Sequence, residues 1–465
     1  MQAHFKDFPD DLIELADDLF RGKLRLPRLL ERLIGEMVEE VEEVRLSLAE
    51  KLINLIRAIL KRLSNDVRRH STLQYYALAW LFKRFLQVLH RLNDYADDMH
   101  DEARRLLIML ELGAVSVHGM IQDDVITKGF QVIDDYDFRE WLMKHGASRR
   151  AAFSAPVRAS LYDGLFAYPE GDTGDTLPSD SGRLAASTAL QASMMTIFGY
   201  RGAIMWKMQS GMGDTVFGPF YEVLKRRGVK FAFFHKVKKL HPGQDDTIER
   251  IDIGLQATVK AGPFAYDPMF DVNGLPCWPD RPLYNQLQEG GDLEAPQINL
   301  ESAWTPWPDV AEITLEKGKD FDLVVLGIPV GALHDICSEL RVKPAWAKML
   351  DNVQTVQTQA LQLWFKPTLE QLGWPLGSPV MSAYVDSLNS WADMSQTLPT
   401  ENWPPEHDPG KVSYFCGPLK DAAVIPPAGN YEFPAQERER VKQHSIDWLK
   451  KNAGHLFPGE RRPKI

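Results

Sequence analysis

From Pro27 to about Asp124 the chain is almost free of glycine and proline, whereas both are scattered through everything that follows. This asymmetry constrains the fold most, because so long a stretch without breakers reads as helices. Leu33, Ile34, Met37, Val38, Val41, Leu48, Leu52, Leu55, Ile56, Ile59 and Leu63 follow a helical stripe through one long helix or two joined ones. A second helix is expected from Leu73 to Leu92, carrying Tyr76, Trp80, Phe82, Phe85 and Leu89, and a third from Asp101 to Met120, with Leu106, Leu107, Met109, Leu110 and Leu112. The stripes are wide, so the reading is a bundle of at least three helices with Leu52, Ile56 and Leu89 inward. Glu36, Glu39, Glu40, Glu42 and Glu43 read as a solvated acidic face. Arg68, Arg69, Lys83 and Arg84 beside Trp80, Phe82 and Phe85 read as the basic edge of a buried helix, with peripheral membrane contact as the alternative.

At 465 residues the chain can bury more than one core. The expected class is mixed α/β, divided into a helical region over 1–130, a segment with a glycine turn, helix and strand over 131–320, and a second sheet over 321–465. Charged residues make up 25% and the net charge is -11, which argues against a general nucleic-acid binder. Cys277, Cys337 and Cys416 are odd in number and widely spaced, which suggests reduced thiols in a cytoplasmic compartment. The acidic start MQAHFKDFPDDLIELADD does not read as a signal peptide, and no uninterrupted apolar stretch is long enough to span a membrane.

Beyond the helical region the signals shorten. Asp137 to Ser154 reads as a helix ending in a turn at Gly146, and Ala185 to Tyr200 as another helix. In Met205 to Leu240, a glycine turn at Gly211 and Gly213 opens an amphipathic helix that Asp214 or Thr215 can cap. Lys225, Arg226 and Arg227 gather where its dipole favours cations, Gly228 ends it, and Val229 to Phe234 reads as a strand. Arg250–Val259, Ala311–Leu315, Gln354–Phe365 and Lys411–Gly417 are further strand candidates, with a turn at Lys317-Gly-Lys. Phe321 to Ile328 is an apolar run expected to be a buried strand beside Val229 to Phe234 in a mixed sheet.

Two of these segments resemble FAD-dependent oxidoreductases of the flavin amine oxidase and phytoene desaturase superfamily. There a Gly-Met-Gly type turn opens a helix, and the following strand ends in a valine that lies against adenine. By this resemblance the turn is Gly211-Met212-Gly213 and the valine is Val237. Phe321-Asp-Leu-Val-Val-Leu-Gly-Ile-Pro329 is similar to the family's strand ending in a small residue and a proline, which implies that Gly327 and Pro329 sit beside the flavin. The likeness spans roughly Phe138 to Trp448 and implies FAD as cofactor and a small apolar or amine-type substrate. Tyr384 and Trp391, in a segment combining strand character with polar groups, are the candidates for an aromatic wall beside that substrate.

The departures are as informative. The strand–G-x-G-x-x-G–helix fingerprint that seats the pyrophosphate is found nowhere in the chain, nor is the family's C-terminal Gly-Asp segment. Where many amine oxidases of the superfamily carry a lysine, the strand Gln354 to Phe365 places Thr358 and Gln359, which turns the expectation toward C–C desaturation or another hydride transfer. His235 and His334 read as satisfied or exposed histidines. Asp123-Asp124 resembles the aspartate pairs that hold magnesium in prenyl-diphosphate enzymes, without a second such site to face it. No G-x-S-x-G, H-E-x-x-H or Walker motif occurs. Two readings stand. In one, the chain is the central part of a flavoprotein, completed by flanking sequence or a companion chain. In the other, it is a cofactor-free relic serving assembly.

Overall fold

The computed structural model describes residues 101–168, 183–203, 205–244, 247–374, 377–385 and 387–457, together with 82–83, 86–87 and 89–90. The helix expected over Leu33 to Leu63, including Leu52 and Ile56, lies outside the described residues, as does most of Leu73 to Leu92. Phe82, Leu86 and Leu89 are helical and buried. The chain forms two compact units, one of residues 1–166 and 172–204, the other of 167–171 and 205–465. Positions 130 and 320 fall inside them.

In the first unit, α1 (Asp101–Gln122) buries Leu107, Leu110, Ala114, Val117 and Ile121 along one stripe. Its window Arg104–Gln122 is long and apolar enough to cross a membrane, and 56% of that window is buried inside the protein. The helix α2 (Phe138–Lys144) begins at Asp137, whose carboxylate accepts from the amides of Arg139 and Glu140, and it is followed by Gly146 at φ 100°. Asp137 also accepts from the Tyr162 hydroxyl at 2.8 Å and the Leu184 amide at 3.1 Å, so one buried carboxylate ties three chain segments together. The helix α3 (Ala186–Phe198) packs through Ala186, Ala189 and Leu190.

The second unit opens with a wide helical turn over Gly213–Phe217 that continues into α4 (Gly218–Arg226). Three antiparallel sheets follow. The strands β1 (His235–Pro242) and β2 (Ile248–Leu255) pair with His235 opposite Leu255. A short hairpin joins β3 (Phe270–Val272) and β4 (Leu275–Cys277), its turn formed by Asn273 and Gly274 at φ 54° and 84°, the Asn-Gly chemistry that suits tight hairpins. The strand β5 (Ala311–Glu316) pairs with β2, placing Ile253 opposite Ile313. The last sheet has the order β6 (Gln357–Phe365), β9 (Lys411–Leu419), β8 (Ser390–Asp393), β7 (Val380–Met381). The helix α5 (Pro344–Asn352) precedes it, and α6 (Phe433–Leu456) lays Trp448, Leu449, Ala453 and Leu456 on a core with Leu388, Trp391 and Phe415.

The mixed α/β class holds, but the mixed sheet does not form. Val229 to Phe234 is not a strand, because β1 starts only at His235. Phe321 to Ile328 makes one isolated bridge, Phe321 to Lys317, and no ladder. Its residues still alternate: Val324, Leu326 and Ile328 pack on the core of Leu240, Ile251, Ile253 and Leu350, while Leu323 and Val325 are 89% and 97% exposed. The physical reason is the absence of a neighbour. A strand exists by pairing, and among the described residues no backbone lies alongside to accept this one.

Candidate functional site

The sequence-derived flavin residues all lie in the second unit. At the glycine turn, the Gly211 carbonyl accepts from the amides of Asp214 and Thr215 at 3.0 and 2.9 Å and from Thr215 Oγ1 at 3.0 Å. The expected side-chain cap is therefore not made. Asp214 turns instead to Ser210 Oγ at 3.1 Å and the Trp278 amide at 2.8 Å, and its carboxylate lies 3.1 Å from where a Cβ on Gly211 would stand. Met212 is exposed, and Gly213 stands against Trp278, whose ring joins Tyr221 and Phe233 in an aromatic cluster.

Val237 and the run ending at Pro329 are brought together on one core. Val237 pairs with Ile253 and packs with Val324, Leu326 and Ile328 against Leu240 and Ile251. Gly327 and Pro329 are exposed, and a Cβ at Gly327 would meet no heavy atom within 4 Å. Tyr384 and Trp391 belong to another core. The Tyr384 hydroxyl donates to the Asn452 carbonyl at 2.8 Å, and burial pushes its pKa up. Trp391 is 1% exposed, T-shaped against Trp374 at 5.0 Å, and donates to Ser413 Oγ at 3.1 Å, so it is a core residue of this sheet.

Of the two histidines weighed from sequence, His235 Nδ1 meets the Phe233 carbonyl at 2.6 Å and His334 is exposed. Gln359 is buried. Its Nε2 lies 3.4 Å from the Pro418 carbonyl and its Oε1 3.2 Å from His444 Nδ1, with His444 Nε2 3.0 Å from Ser387 Oγ. With the amide nitrogen facing a carbonyl, Oε1 is the acceptor, so His444 carries its proton on Nδ1 and accepts from Ser387.

Whether these groups fit FAD divides by part of the molecule. The open space at Gly327 can border a planar ring. The glycine turn does not suit a pyrophosphate, because the Asp214 and Thr215 amides are turned onto Gly211 and a carboxylate overlies the turn. These residues leave open space at Gly327 and form no phosphate seat.

The first unit holds a constellation that sequence reading passed over. A cavity of about 560 Å³ is lined at one side by His118, Gln122 and Asp123 from the end of α1, at another by Lys144 and His145 from the end of α2. Asp123 Oδ2 accepts from Trp141 Nε1 at 2.8 Å and lies 2.8 Å from His145 Nε2, and Lys144 Nζ reaches both carboxylate oxygens at 3.0 Å. Burial pushes the Asp123 pKa up, but the bonds from His145, Lys144 and Trp141 outweigh it and hold the carboxyl below its ordinary value. Burial holds His145 below the ordinary imidazole value despite Asp123, and Lys144 is raised because its bonds to Asp123 and Tyr136 overcome its own burial.

The close approach depends on Gly119, where a Cβ would stand 2.5 Å from Trp141 Cζ2 and 2.9 Å from His145 Cδ2. The available signal was the spacing of Trp141, Lys144 and His145 on one face of α2. Nothing local placed Asp123 opposite them. No protein-family model, curated protein or solved structure matches the chain.

Proposed function

We propose that this chain is the substrate-side part of an FAD-dependent oxidoreductase, which becomes competent for flavin when a dinucleotide-binding sheet is added by flanking sequence or a companion chain. The observation that carries the reading is a set of large apolar side chains left exposed at two places, around α4 and along the Phe321–Ile328 run. Phe217, Phe220, Val223 and Val229, on and just beyond α4, are 57%, 64%, 43% and 44% exposed, and Leu323 and Val325 are more exposed still. An extended run apolar on both faces is the pattern of an interior strand in a parallel sheet. Full burial of such a side chain is worth about 1.5–3 kcal/mol, so covering what remains exposed of these gains part of that for each and together favours association.

In this reading FAD accepts a hydride from a small apolar or amine-type substrate. The chain borders the ring near Gly327 and Pro329, and the added sheet supplies the phosphate seat that the Gly211-Met212-Gly213 turn does not. Thr358 and Gln359 near the position where many amine oxidases carry a lysine weaken amine oxidation and leave C–C desaturation or another hydride transfer open. Cys277, Cys337 and Cys416 are free thiols, in keeping with a cytoplasmic setting. The alternative, an assembly subunit without flavin, uses the same exposed side chains.

Visible absorbance and calorimetric titration of FAD separate the two. The chain alone should take up no flavin, and the chain with an added strand–G-x-G-x-x-G–helix segment should retain it. Failure of the completed protein to bind FAD ends the oxidoreductase reading. Tight binding by the chain alone refutes the assignment of the phosphate seat to the added sheet.

A further inference from the structure

The cavity in the helical unit is independent of the flavin reading. Eight of its ten lining residues are polar, which suits a polar ligand, and its volume of about 560 Å³ is within the range of small-molecule sites. A metal is disfavoured too, because among the described residues no group of three or more His, Cys, Asp or Glu side chains is placed to hold one.

The charges decide what remains. Asp123 is the one carboxylate among the lining residues, and both its oxygens are occupied by donors. Lys144 is matched by that carboxylate at 3.0 Å. Lys83 is exposed on the cavity wall and makes no ion pair among the described residues, and His90, His118 and His145 add imidazoles around it. Among the lining residues two ammonium groups therefore face one carboxylate, and the imidazoles and amides can donate as well. His145 is fixed by Asp123 and stands edge-on to His118, their centroids 6.2 Å apart.

We propose that this cavity binds a small oxyanion, inorganic phosphate or a low-mass carboxylate, held by Lys83 and the histidines of its wall. Burial keeps His145 neutral near pH 7, and an arriving anion favours its protonated form. Binding therefore takes up a proton and tightens as pH falls. The other charged groups facing these imidazoles are Lys83, Asp123 and Lys144, with Glu111 3.5 Å from His90 Nε2.

The test is isothermal titration of inorganic phosphate, and separately of succinate, into the full chain, in buffers of different ionisation enthalpy from about pH 8 to about pH 6. Saturable binding of either anion, with proton uptake and higher affinity at the lower pH, is expected, and comparison of the two identifies the source. Lys83→Met should weaken binding about tenfold without moving the melting temperature, since the side chain is exposed. His145→Gln should reduce the proton uptake, a readout that a purely structural histidine would not move. Absence of saturable heat with both anions, or unchanged affinity in Lys83→Met, overturns the proposal.

Discussion

Replacing Gly119 by alanine should destabilise the helical unit, although alanine is the better helix former. Within α1 the substitution by itself would gain about 0.8–1 kcal/mol of helix propensity. The added methyl, however, would stand 2.5 and 2.7 Å from Trp141 Cζ2 and Cη2 and 2.9 Å from His145 Cδ2. Overpacking of that kind costs about 1–3 kcal/mol. The indole must also move, weakening its bond to the Asp123 carboxylate, and a hydrogen bond to a charged group is worth about 1.5–3 kcal/mol. The net expectation is a loss of about 2–4 kcal/mol, which for a unit of this size lowers its melting temperature by roughly 5–15 °C. Tryptophan fluorescence during thermal unfolding reads it. Gly454 is the control: it lies within α6, with nothing within 4 Å of its would-be Cβ, so the same change there should stabilise by about 0.5–1 kcal/mol. A melting temperature unchanged or raised in Gly119→Ala would refute the packing assigned to Trp141.

Two further variants test the second unit. Lys411 is fully buried, its ammonium 5.0–5.3 Å from the ring centroids of Phe365, Trp391 and Phe457, and burial, only partly offset by Asp393, lowers its pKa from 10.5 to about 8. The unfolded chain therefore binds more protons between those values, so the penalty of about 3 kcal/mol is full below pH 8 and relieved as pH rises toward 10.5. Lys411→Met should be the more stable protein at pH 7 in urea unfolding and lose that advantage by pH 10.5; an equal difference at both pH values would count against the assignment. Leu323→Asp with Val325→Asp should leave the stability of the chain within about 0.5 kcal/mol while abolishing its association with an added dinucleotide-binding segment, as followed by sedimentation; undiminished association would exclude this run as the edge that is covered.

What the sequence made legible was set by how local each signal is. The helical stripe of Leu106, Leu107 and Leu110 became α1, and Ala311–Leu315, Gln354–Phe365 and Lys411–Gly417 became strands within a few residues of their expected bounds. These elements carry their own period and find partners within the chain. Val229–Phe234 and Phe321–Ile328 carry an equally good β signal and fail to become strands. Composition specifies a strand's faces, but hydrogen bonding between backbones completes it, and that second condition lies outside the window that composition reads.

The same distinction explains the two candidate sites. Gly211-Met212-Gly213, Val237 and Gly327 were singled out because they sit in contiguous motifs, yet the structure places the turn against Trp278, Val237 on a different core, and Gly327 exposed. Asp123 offered only a short acidic pair at the end of a helix. Its neighbours come from 18 to 22 residues away, and the contact depends on a glycine in one helix and an indole in another. A carboxylate that takes an indole, an imidazole and an ammonium together is selected by the packing angle of α1 and α2, which neither helix encodes alone. Contiguous motifs therefore mark single segments, whereas the polar cavity follows only from the assembled helices.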